Sequence, residues 1–112
     1  MMITPELRIK TYQKLPPSLR RVYSSDSATN FHGDIAAKYQ LSGEIFAAYI
    51  DIVGDTILGF YTTAQLPQFL QQYVGLPPQT AYQLMGELTP FLKPVFDREA
   101  GIEPELNPQE EE

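Results

Sequence analysis

The sequence predicts an all-α fold, a compact bundle of four to five helices gathered around a central helix at residues 43–60. Three observations predict it. Apolar residues recur at helical spacing in several segments. No segment alternates long enough, or carries the hairpin signals, to read as a strand. Proline, glycine and small polar residues fall where helices start and stop.

Thr4-Pro5-Glu6 has the composition of a helix start, with a capping hydroxyl, a proline suited to the first turn and an acid at the positive end of the dipole. A short helix over residues 5–14 follows, with a thin apolar stripe of Leu7 and Tyr12 or Leu15, and residues 1–14 read as a basic arm or short helix. Leu15-Pro16-Pro17 stops it, because a residue before proline avoids the helical region. Residues 18–23 form a short helical stretch with Leu19, Val22 and Tyr23 inward, and Ser24-Ser25-Asp26 is a break and cap cluster. From Asp26 the spacing of Ala28, Phe31, Ile35 and Tyr39 is helical, and Ser42 is placed to cap the next helix.

The central helix carries the clearest periodicity. Ile45, Phe46, Tyr49, Ile52, Val53, Ile57 and Phe60 share one face, while Ile50 and Leu58 lie off it and are apolar too. Only Glu44, Asp51 and Asp55 form a polar stripe, so this rod is buried by neighbours on several sides, or in part by another subunit. Gly54 and Gly59 let neighbouring backbone approach. Thr62-Thr63-Ala64-Gln65 fits a capping box ahead of Leu66, Phe69, Leu70, Tyr73 and Val74, and Gly75 fits a left-handed stop. Ala81, Leu84, Met85, Leu88, Leu92, Val95 and Phe96 keep helical phase through Pro90 and Pro94. Either one helix, 78–99, is kinked there, which the unbroken phase favours, or two helices meet at Thr89-Pro90. The bundle domain thus spans residues 15–100, and the Pro/Glu-rich residues 101–112 read as a disordered acidic tail. A short echo, Leu15-Pro16-x-x-Leu19 and Leu66-Pro67-x-x-Leu70, is too limited for a repeat architecture.

Composition bounds the function. The chain has 112 residues, no cysteine and a net charge of −6, which excludes disulfides and thiolate metal sites and disfavours a nucleic-acid partner. The first residues lack a basic region followed by an apolar run, and the longest apolar stretch is broken by Asp51 and Asp55, so neither a secretory signal nor a membrane span is expected. The expected location is cytoplasmic. Charge is polarised: six of the eight basic groups lie within residues 1–40, whereas residues 41–90 hold no basic group and four acids. That asymmetry invites contact within one molecule or between two.

No catalytic or cofactor motif is present. His32 is the single histidine and reads as a surface or helix-end residue, because no motif supplies it with a nucleophile and one histidine without cysteine builds no metal set. Glu44, Asp51 and Asp55 read as a structural acidic stripe, with Asp55 bonded to a helix end or to an N-terminal arginine; cation binding is the lesser alternative. Seven tyrosines and no tryptophan suit half-exposed contacts, and Tyr61, Tyr73 and Tyr82 flank helix junctions. These three, with Arg8, Lys10, Lys14, Arg20 and Arg21, are the candidate interaction residues. The expected function is a non-enzymatic protein-interaction or self-associating module. The alternatives are a helix-turn-helix-like nucleic-acid binder using the basic N-terminal segment, or a bundle that binds a small apolar ligand.

Residues 15–100 resemble a short helical domain recurring in proteins of the Patescibacteria, the candidate phyla radiation. The matching residues are Leu15-Pro16-Pro17, the run from Gly54 through Gly59, Leu66-Pro67-x-x-Leu70, Gly75-Leu76, Ala81 and Phe91-x-x-Pro94-Val95. The chain departs from that pattern in the aromatic Phe60, Tyr61 and Tyr73. The resemblance implies an all-α bundle of bacterial origin, and its motifs specify packing rather than chemistry.

Overall fold

The structure, a computed structural model, describes residues 3–102; the acidic segment beyond them lies outside the described residues. These residues form seven α-helices and a 3-10 turn: α1 Pro5–Gln13, α2 Pro17–Tyr23, α3 Asp26–Tyr39, α4 Gly43–Leu58, the turn Thr63–Gln65, α5 Leu66–Gln72, α6 Pro78–Phe91 and α7 Lys93–Glu99. No strand occurs among them. The fold is an all-α bundle, as the periodicity predicts. The count exceeds four to five because three of the helices are two-turn pieces of seven residues, each opened by a proline in its first turn.

Local chemistry sets most boundaries. The Thr4 hydroxyl accepts from the Leu7 N–H at 3.1 Å, and the Ser25 hydroxyl accepts from the Ala28 N–H at 3.1 Å. Ser42 occupies the cap position of α4 but makes no side-chain cap bond. Helix α4 ends at Leu58 rather than at residue 60. Gly59 turns left-handed (φ 98°), and the Phe60 N–H bonds back to the Asp55 carbonyl at 2.9 Å, a Schellman closure. The same device ends α3 at Gln40, the one non-glycine residue with positive φ among the described residues. It also ends α7, where Gly101 (φ 80°) and an Ile102 N–H bond to Asp97 place residues 101 and 102 in the helix cap rather than in a disordered tail.

The expected kinked helix 78–99 is two helices, and the junction is Leu92, not Thr89. Pro90 sits inside α6, where the helix tolerates the loss of one backbone donor. At Leu92 ψ turns to 19°, and Pro94 falls in the first turn of α7, where its missing N–H has no helical partner to lose. Leu92, Val95, Leu88 and Leu84 are all fully buried, so apolar phase persists across the break.

Helix α4 packs on α1, α2 and α5; α2 also meets α3 and α7, and α5 meets α6. The centre is therefore shared by α4 and the two short helices that flank it. Those two carry the sequence echo, and their matching leucines, Leu19 and Leu70, are both buried against the same cluster as Tyr49, Ile52, Val53 and Ile57 of α4. The C-terminal half of α4 is buried almost all round. Its N-terminal half is not: Phe46 is half-buried and Ile45 is 48% exposed.

A polar clasp closes the far end. Arg98 of α7 donates to the Ile57 carbonyl at 2.8 Å and the Thr56 carbonyl at 3.0 Å, placing a cation on the negative end of α4. The next residue, Glu99, accepts from the Thr63 N–H at 2.8 Å and its hydroxyl at 2.6 Å. Nothing in the spacing of the sequence announces this clasp, since it joins residues about forty positions apart.

Candidate functional site

Asp55 lies on the buried side of α4 at 3% exposure. A carboxylate there needs a partner, and Arg8 of α1 supplies a two-pronged one: Nε to Oδ1 at 2.9 Å and an Nη to Oδ2 at 2.9 Å. Asp55 in turn pushes the Arg8 guanidinium's pKa up. This is the N-terminal-arginine alternative for Asp55, and it fastens α1, which buries no residue of its own, to the core. Arg8 is thus an internal ion-pair partner, its side chain still 32% exposed. Glu44 and Asp51 are exposed, so the stripe has two solvated members and one buried one.

The Arg8–Asp55 pair separates two apolar strips of α4. On one side, Phe46, Ile50, Gly54 and Ile57 form the floor of a cleft of about 390 Å³, walled by Tyr23, Thr29 and His32. Gly54 lets the Tyr23 ring lie close to the helix: a Cβ at this position would stand 3.3 Å from that ring. Burial and the Asp55 charge both push the Tyr23 phenol up, so it stays protonated. On the other side, Ala48 and Ile52 meet Tyr61 and Tyr73 in a shallower hollow of about 250 Å³. Tyr61, Phe69 and Tyr73 form an edge-to-face ladder with centroids 4.8 and 5.2 Å apart.

His32 is not a surface or helix-end residue. It is mid-α3 and half-buried, edge-on to Tyr49 and Phe91, with Nδ1 2.8 Å from the Tyr49 hydroxyl. Phe31 stacks on Phe91 at 4.1 Å beside it. Tyr49 is fully buried and has no other hydrogen-bond partner among the described residues. Either atom of that bond can donate, according to the ring tautomer. Position 32 is adjacent to the Phe31 stripe, and that adjacency was the one available signal. The burial pushes the His32 pKa below its ordinary value. The unfolded chain then binds a proton that the folded chain refuses. Stability contributed at neutral pH is lost as pH falls below about 6.5, the ordinary histidine value, and levels off beneath the folded pKa. The imidazole resonance of this single histidine, followed by NMR, should titrate below its ordinary pH of 6.5; a midpoint at or above that would contradict the buried placement.

Lys10 and Lys14 are exposed on and after α1, and Arg20 and Arg21 are partly buried on α2. With Arg8 committed to Asp55, the basic N-terminal segment offers less free charge to phosphates than its sequence suggests. Tyr73 and Tyr82 are 57% and 69% exposed, whereas Tyr61 is half-buried in the ladder. A second polar link, missed in the sequence, joins α3 to α6. Glu87 accepts from the Tyr39 hydroxyl at 2.6 Å and pairs with Lys38 at 2.7 Å. These two bonds hold the Glu87 carboxyl below its usual range, and burial together with Glu87 pushes the Tyr39 phenol up to about 12. Among the described residues no three acidic or histidine groups converge to hold a metal, and no helix is long and apolar enough to cross a membrane.

No protein family, curated protein or solved structure matches the chain.

Proposed function

We propose that this domain is a non-enzymatic protein-interaction module whose first partner is a second copy of itself. One observation carries the reading: the apolar face of α4 runs on past the point where the other helices cover it, leaving Ile45 at 48% exposure. Ala48 and Ile52 continue that face into the hollow shared with Tyr73, which is 57% exposed. Tyrosine suits such a surface because it buries a large ring and keeps one polar end for water. The polarised charge of the chain favours a two-fold arrangement, the basic front of each copy against the acidic middle of the other. The non-enzymatic part is supported by where the best acid–base groups are spent: Asp55 on Arg8, and His32 on Tyr49. Kinship with the Patescibacteria helical domain belongs to the same proposal, supported by the packing use of Gly54 and by prolines at positions 17, 67 and 94 that open helices.

Light scattering after size-exclusion, over a hundredfold range of concentration, tests self-association. The wild-type mass should rise toward a dimer, and Ile45→Ser with Tyr73→Ser should hold it at the monomer. A wild-type chain that stays monomeric throughout removes the reading.

A further inference from the structure

The cleft over Gly54 has the size and lining of a small-molecule site, on the opposite side of the ion pair from the proposed interface. Its volume of about 390 Å³ falls within the range of about 300–1,000 Å³ for ligand pockets. The walls are mostly apolar and aromatic, from Tyr23, Phe46, Ile50 and the His32 ring. Charge in the cleft is unbalanced. Arg8 and Asp55 neutralise each other through two hydrogen bonds, which leaves Asp51 at the rim. Asp51 is exposed and has no ion-pair or hydrogen-bond partner among the described residues.

We infer that this cleft binds a small organic amine, its aromatic or aliphatic body lying between Tyr23 and Phe46 over Gly54 and its ammonium group paired with Asp51. Aromatic faces and a carboxylate both favour a cation, while the apolar floor favours a hydrocarbon body. An anion would meet the unpaired Asp51, while the Arg8 cation is already held by Asp55. His32 suits the assignment because burial keeps its ring neutral near pH 7, so it adds a wall without a competing positive charge. Tyr49 fixes that ring through Nδ1 at 2.8 Å, so the wall is set before any ligand arrives. The site does not use Ile45 or Tyr73, but Asp51 also lines the hollow that holds Tyr73, so the titration is made at a concentration where light scattering reads a monomer.

Three probes with the same phenyl body separate the contributions: phenethylamine, phenethyl alcohol and 3-phenylpropionate, titrated into the full 15N-labelled chain at low, matched ionic strength. Phenethylamine should move the amides of Thr29, His32 and Gly54 and bind about five-fold more tightly than the alcohol, the worth of a rim ion pair of about 1 kcal/mol. The carboxylate should bind most weakly. Asp51→Asn, at an exposed position, should bring the amine down to the alcohol's affinity. Thr29→Trp, at the exposed edge of the cleft, should block all three. Absence of shifts at these amides, equal binding of amine and alcohol, or tighter binding of the carboxylate would overturn the assignment.

Discussion

Replacing Tyr49 with alanine should lower the free energy of unfolding by about 4 kcal/mol. The ring is fully buried in α4 and bridges to α3 through the 2.8 Å bond to His32 and edge-on contact with its ring. Removing it leaves a cavity under a half-buried imidazole and strands Nδ1 without its partner. The loss is a large share of the roughly 5–15 kcal/mol that holds a domain together. Tyr49→Phe keeps the ring and loses only the hydroxyl, so it should cost about 1 kcal/mol. Asp51→Ala, two residues along on the exposed side, should stay within about 0.5 kcal/mol of wild type. Urea unfolding of the three variants measures the ranking. Equal effects from Tyr49→Ala and Asp51→Ala would mean that α4 is not oriented as described.

The second large effect is asymmetric. Arg8→Ala should destabilise by about 3 kcal/mol, because it leaves the Asp55 carboxylate at 3% exposure without its cation. Asp55→Ala should cost less, since the Arg8 side chain is 32% exposed and its charge can turn to water. The double variant should be no worse than Arg8→Ala alone, for the stranded charge has gone with its partner. The same unfolding assay reads the cycle, and additive single effects would show that the pair is not coupled.

How much of this was legible in the sequence follows from the range of each interaction. The starts of α1 and α3, the Thr62–Gln65 cap and the stop at Gly75 are local chemistry among residues a few positions apart, and they were readable, whereas the stop at Gly59 was hidden by apolar residues that keep helical phase to residue 60. The centrality of α4 was readable from its all-round apolarity, although its N-terminal half proved less covered than that pattern implied. The break at Leu92 was misplaced because apolar phase continues through it; buried leucines at 84, 88 and 92 line up whether or not the backbone bends. The site was only half visible. An arginine partner for Asp55 was foreseeable as a class, since a buried carboxylate must be paired. Placing Arg8 rather than another basic residue opposite it required tertiary structure. The His32–Tyr49 bond, the Arg98–Glu99 clasp and the Glu87 link join residues 17 to 48 positions apart, and no periodicity encodes such pairings.

Native-state amide hydrogen exchange tests the central claim most directly, namely that residues 49–58 of α4 are the last part of the bundle to open. Their amides should exchange only through global unfolding, with protection equal to the free energy from urea, while α1, which buries no residue, opens at lower energy. Exchange through residues 49–58 that is faster than through α5 and α6 would contradict it.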